Sequence, residues 1–152
     1  MMNVFNCRCF LNIDYIGQNL LELRYLNMSW CKGRVTDSDL KSISNLPKLK
    51  VLRLEGVTVI TGIGLGNFAN LKELNCSFCH TLKDDGLIRL LRCACELEFL
   101  DISFCRKITT SVIKVAIEET KKRTNNIVLR LQIGTAINVD KIEDVSPLLY
   151  LV

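Results

Sequence analysis

Apolar and polar residues recur along the chain in one unit, plainest over residues 71–105. Leu71-Lys-Glu-Leu74-Asn-Cys76-Ser-Phe-Cys79 returns 26 residues later as Leu97-Glu-Phe-Leu100-Asp-Ile102-Ser-Phe-Cys105. The alternation around Leu74 and Leu100 predicts a short half-buried strand in each copy. Between the copies, Leu87, Leu90 and Leu91 fall at spacings of three and four, the period of a helix with one buried stripe. A strand and a helix repeated at a fixed interval predict a solenoid of stacked turns, none of which buries its apolar side without neighbours.

The same unit organises the rest of the chain. Residues 2–7 read as the remains of a strand, and residues 11–21, with Leu11, Ile13, Ile16, Leu20 and Leu21, as a convex-side helix or irregular turn that Gly17 weakens. A clear strand is expected over 25–29. Thr36 and Asp39 then have the form of a capping box opening a helix to about residue 45, which Pro47 forbids from continuing. The next copy starts at Leu49, with Val57 where others have cysteine, so that position asks for a small apolar residue. The interval then contracts to 22 residues, and the connector over 60–68 carries Gly62, Gly64 and Gly66. Their G-x-G-x-G spacing is not the G-x-G-x-x-G of a nucleotide loop, and the segment reads as a short, loosely helical connector. Thr109 caps a helix to about residue 123, and residues 127–133 alternate as a last strand stopped by Gly134. The tail, through Val139, Ile142, Val145 and residues 147–152, is apolar without repeat spacing and is expected to fold over the open end of the core. Residues 1–152 are thus expected to form a single domain, with clear repeats over about 23–133 and a C-terminal cap over 134–152.

These residues carry a resemblance. The chain resembles the cysteine-containing leucine-rich repeats of F-box/leucine-rich-repeat proteins, whose unit reads roughly L-x-x-L-x-L-x-x-C-x-x-I-T-D-x-G-L-x-x-L. Leu23, Leu26, Met28, Cys31, Val35, Thr36, Asp37, Leu40 and Ile43 match it once; Leu71, Leu74, Cys76, Cys79, Leu82, Asp84, Gly86, Leu87 and Leu90 match it again. Leu97, Leu100, Ile102, Cys105, Ile108, Thr109, Val112 and Val115 give a third copy. The pattern's glycine is Asp39 in the first copy and Ser111 in the third, and Ala94 stands where a cysteine often precedes the unit. The resemblance covers roughly residues 2–133 and implies an α/β leucine-rich-repeat solenoid, with a curved parallel sheet on the concave side and helices on the convex side.

Composition narrows the chemistry. The chain is 49% hydrophobic, enough for a packed core, and 20 basic against 16 acidic residues leave only +4. That charge argues against a polyanionic partner, and Lys121-Lys122-Arg123 is read as positive charge at a helix C-terminus, without the interleaved aromatics of a nucleic-acid surface. Eight cysteines raise the question of disulfides or zinc. Cys31, Cys79 and Cys105 each stand eight residues after the first leucine of a unit, and Cys76 takes a leucine site, so the repeat accounts for them as buried thiols. A metal site drawing on Cys76, Cys79, His80, Cys93 and Cys95 is the competing reading; Cys7 and Cys9 fit neither. Residues 1–15 have no secretory character, no apolar run is long enough to cross a bilayer, and reduced cysteines point to the cytoplasm or nucleus.

Function is expected on the face that the strands present. With Leu26 and its counterparts pointing inward, that surface carries Tyr25, Asn27 and Ser29; Val51, Arg53 and Glu55; Glu73, Asn75 and Ser77; Phe99, Asp101 and Ser103; and Val128, Arg130 and Gln132. Trp30, Phe78 and Phe104 recur one step beyond, either as anchors for a partner or as edge packing. Five or six rungs give a face of roughly 400 to 500 Å², half of the roughly 800 Å² per partner of a stable interface, which suits a peptide or part of a larger surface. No enzyme, cofactor or metal site is expected: His80 is the sole histidine and the pattern places no acid to orient it. The resemblance implies a protein-binding module like the substrate-binding repeats of a ubiquitin-ligase receptor, its ligase-core contact made by a segment with no counterpart in this sequence. A scaffold or mitochondrial assembly factor is the alternative, although residues 1–20 carry a single basic residue, Arg8.

Overall fold

The computed structural model describes residues 1–7, 12–134, 137 and 144–152. Arg8, Cys9, Leu11, Val139 and Ile142, singled out above, lie outside the described residues. Strands β1 (Met2–Asn3), β2 (Tyr25–Asn27), β3 (Val51–Arg53), β4 (Glu73–Asn75), β5 (Phe99–Asp101), β6 (Leu129–Gln132) and β7 (Leu149–Leu151) form one sheet in chain order. Every pairing is parallel. Helices α1 (Ile13–Asn19), α2 (Asp37–Ile43), α3 (Asp84–Cys93) and α4 (Thr110–Lys121) return the chain along the opposite side, with a 3₁₀ turn at Ile63–Asn67 where the shortened repeat stands. This is the leucine-rich-repeat solenoid in α/β form. Among the described residues no helix is long and apolar enough to cross a membrane.

The register follows from one leucine per rung. Leu26, Leu52, Leu74, Leu100 and Leu131 lie opposite one another and are all buried. Because strand neighbours alternate, their flanking residues face the concave side. The helices close the core with Ile13 and Ile16, Leu40 and Ile43, Leu87, Leu90 and Leu91, and Val112, Ile113, Ala116 and Ile117. The sheet strands are shorter than expected: β2 stops at Asn27 rather than residue 29, and β6 covers only the middle of 127–133. Tail residues 149–151 continue the sheet as a seventh parallel strand on β6, although no repeat spacing announces them.

Three devices join one turn to the next. The Asp37 carboxylate accepts hydrogen bonds from Thr61 N at 2.9 Å, Thr61 Oγ1 at 2.7 Å and Gly62 N at 2.9 Å, and two units further on Asp84 accepts from Thr109 N and Oγ1. Glycine admits backbone contact between layers: a Cβ on Gly86 would stand 2.2 Å from the Gly62 carbonyl oxygen, and one on Gly64 2.6 Å from that of Asp37. Gly64-Leu65 therefore does for the short turn what Gly86-Leu87 does for α3, and Gly17, expected to weaken α1, lets it rest on the Ser42 carbonyl instead. The third device is sulfur. Cys31 Sγ donates to the Val4 carbonyl at 3.0 Å, Cys79 to Leu54 at 3.1 Å and Cys105 to Cys76 at 3.1 Å. All three corners are buried, as is Val57 at the corner that lacks sulfur, and each thiol adds a hydrogen bond to a carbonyl of the preceding turn.

Candidate recognition surface

Two columns of side chains cross the concave face. One runs through Tyr25, Val51, Glu73, Phe99, Arg130 and Tyr150, the other through Asn3, Asn27, Arg53, Asn75, Asp101 and Gln132. Arg53, Arg130 and Tyr150 are exposed, while Tyr25, Asn27, Glu73, Asn75 and Phe99 are half-buried. The Arg53 guanidinium lies 5.9 Å from the Tyr25 ring centre, and that of Arg130 5.9 Å from the Tyr150 ring centre. Tyr150 joins this column through the pairing of β7 with β6, which no repeat spacing in the sequence signals.

The second column has work inside the fold. Asn27 Oδ1 accepts from Ser29 N at 2.9 Å, Asn75 Oδ1 from Ser77 N at 2.9 Å, and Asp101 Oδ1 from Ser103 N at 2.9 Å. These side-chain turns end the strand and break its alternation. Ser29, Ser77 and Ser103 are buried in consequence, not on the concave surface as alternation predicts. Asp101, expected on that surface, is only 7% exposed and forms part of its floor.

Beyond the turns the backbone enters the left-handed region at the same step of each unit, with φ of 63° at Trp30, 68° at Gly56, 60° at Phe78 and 60° at Phe104. The three rings consequently meet along the edge where the chain leaves the sheet. Phe78 stacks on Phe104 at 4.5 Å and 13°, and Trp30 reaches Phe78 at 5.9 Å. Trp30 crosses a whole rung to do so, lying over Gly56, where a Cβ would be 2.4 Å from its Cε3. Trp30 and Phe78 are half-buried by this packing, Phe104 remains 51% exposed, and Lys32 Nζ stands 5.3 Å from the Trp30 ring centre. Glu55, half-buried, lies beside them and its backbone carbonyl accepts from Trp30 N at 2.7 Å.

A hollow of about 280 Å³ opens between the third and sixth rungs, lined by Val51, Leu52, Arg53, Glu73, Asn75, Phe99, Asp101 and Gln132. A neighbouring one of about 540 Å³ shares Glu73 and Phe99 and adds Glu98, Ile127, Val128 and Arg130. The thiols lie elsewhere. Burial pushes Cys105 up to about 12 and raises Cys31 and Cys93; the hydrogen bond with Cys79, and then burial, lift Cys76. A thiol held in its neutral form is a poor nucleophile. His80 Nδ1 sits 3.1 Å from the Phe104 carbonyl oxygen, a contact between adjacent turns.

No family model matches the chain. Among solved structures it is similar to a chain in the crystal structure of the Rad7 and Elc1 complex in yeast, at 14% identity and a TM-score of 0.49. The match covers 93% of this chain and 51% of that one, so this chain spans about half of the other's length. The fold rests on the register of the seven described strands.

Proposed function

We propose that this chain is a non-enzymatic protein-recognition module whose concave face takes an extended segment of a partner protein, in the manner of the substrate-binding repeats of an F-box/leucine-rich-repeat ubiquitin-ligase receptor. The observation that carries this reading is the concave array itself. Tyr25, Arg53, Phe99, Arg130 and Tyr150 stand on hydrogen-bonded rungs with part of their surface open, and aromatic and arginine side chains on rigid elements are the usual anchors of protein binding.

Size favours a segment over a globular surface. Seven strands about 4.8 Å apart extend about 29 Å, and three-residue strands are about 10 Å wide, which gives roughly 300 Å². That is less than half of the roughly 800 Å² per partner of a stable interface between folded proteins. In this reading the ligase-core contact belongs to sequence outside these repeats, and the setting is cytoplasmic or nuclear.

The test is affinity capture from cell extract with three baits, all checked by circular dichroism: the wild type, an Arg53→Ala/Phe99→Ala/Arg130→Ala variant, and a convex control, Lys114→Ala/Glu118→Ala on α4. Proteins held by the wild type and the control but lost by the concave variant support the proposal. Equal retention by all three refutes it.

A further inference from the structure

Charges just before the strands pair between turns. Lys48 meets Glu22 at 2.6 Å, Lys72 meets Glu98 at 2.7 Å, and Lys50 meets Glu96 at 3.6 Å. Four charges on the concave face do not. Glu73, Asp101, Arg53 and Arg130 form no ion pair among the described residues, although they occupy successive rungs. Asp101 is the most enclosed of them, 7% exposed: its Oδ1 accepts from Ser103 N, and the side chain lines the hollow. Two unpaired acids standing between two unpaired arginines favour an arriving segment of complementary charge.

Resting on the concave-face reading above, we propose that the occupant is an extended peptide segment with a basic side chain flanked by acidic side chains two residues away on each side, acid-x-base-x-acid. The sign order along the face is positive at Arg53, negative at Glu73 and Asp101, and positive at Arg130. The midpoint of the two acids is one and a half rungs from each arginine, about 7 Å at about 4.8 Å per rung. In an extended peptide, side chains on one face are two residues apart, about 6.6 Å at about 3.3 Å per residue. A segment laid across the strands therefore brings its base over Glu73 and Asp101, beside the Phe99 ring, and its two acids to Arg53 and Arg130. Phe99 adds an aromatic side chain to the lining of the pocket for the cation. Each arginine already leans on a tyrosine ring, so its guanidinium is placed before the peptide arrives.

The test is a displayed library of random peptides panned on the full chain, with enriched peptides then titrated by fluorescence anisotropy. Two charge variants accompany it, Glu73→Gln/Asp101→Asn and Arg53→Ala/Arg130→Ala, with Lys114→Ala/Glu118→Ala as convex control. Asp101→Asn keeps the turn acceptor, since Asn27 and Asn75 make the same turn at the equivalent step. The expected result is enrichment of acid-x-base-x-acid, with affinity lowered at least about tenfold by either charge variant and unchanged by the control. Enriched peptides that need Arg53 and Arg130 but carry no central base, or that bind Glu73→Gln/Asp101→Asn as well as wild type, overturn the charge pattern and leave concave recognition standing. Peptides indifferent to every concave variant, or no enrichment at all, overturn both.

Discussion

Replacing Gly56 by alanine tests the aromatic column most directly, because Trp30 is both the affected side chain and the single tryptophan of the chain. Two costs arise. The backbone at Gly56 has φ of 68°, and an L-residue there costs about 1 to 2 kcal/mol, offset by about 0.4 to 1 kcal/mol from a less flexible unfolded chain. The new Cβ also falls 2.4 Å from Trp30 Cε3, so the indole must leave its place and lose Phe78, a contact worth about 0.5 to 1.5 kcal/mol. Gly33 separates the two, since its φ is 67° and nothing lies within 4 Å of its added Cβ. Gly33→Ala should therefore cost about 1 kcal/mol and Gly56→Ala about 2 kcal/mol. For a domain of this size these correspond to losses of about 2 to 4 °C and about 4 to 8 °C in Tm. Urea denaturation followed by circular dichroism gives the stabilities, and the tryptophan emission of each folded variant reports the ring's surroundings. Equal stability losses together with an unshifted emission spectrum in Gly56→Ala would refute the stacking of Trp30 over Gly56.

Three further outcomes follow from the contacts between turns. Gly86→Ala, which helix propensity alone would make stabilising by about 1 kcal/mol, is expected to destabilise by about 2 kcal/mol or more because its Cβ meets the Gly62 backbone; a rise in the urea midpoint would contradict this. Burial pushes the Asp37 carboxyl up, but hydrogen bonds from Thr61, Gly62 and Gly64 outweigh it and hold the group below its ordinary range, so its stabilisation is present above the unfolded value and lost as pH falls through the folded one. Tm measured from about pH 5 down to about pH 2 should fall less steeply in Asp37→Asn than in the wild type. Cys105 behaves in the opposite sense: its folded value of about 12 lies above that of an unfolded thiol, so its contribution is complete below about pH 8.5 and declines as pH rises toward the folded value. Denaturation between pH 7 and 10 should show a shallower alkaline loss in Cys105→Val, by up to about 1.4 kcal/mol per pH unit, and an identical slope would refute the burial argument.

The parts of the fold legible in the sequence are those set by spacing. One leucine per rung places Leu26, Leu52, Leu74 and Leu100 in line, and the capping box at Thr36 and Asp39 forms with Thr36 N to Asp39 Oδ2 at 2.7 Å. What period-two alternation misses is where it stops. Asn27, Asn75 and Asp101 have the look of surface polar residues, yet each bends the backbone through its own side chain and so carries the next serine inward. Trp30, Phe78 and Phe104 recur visibly, but a left-handed backbone at bulky residues is not written in their identity; it is imposed by the turn before them. Strand β7 escapes for a different reason, because Leu149-Tyr150-Leu151 is too short to show a period and only its pairing with β6 reveals it.

The order of the strands in the sheet has a consequence for how the molecule is made. Each rung hydrogen-bonds only to the rungs immediately before and after it in the chain. During synthesis, a segment leaving the ribosome finds its upstream partner already present, and no rung waits for distant residues before it has something to pair with. The growing end always offers a fresh parallel edge, so assembly can advance turn by turn at the pace of translation, the chain serving as its own template.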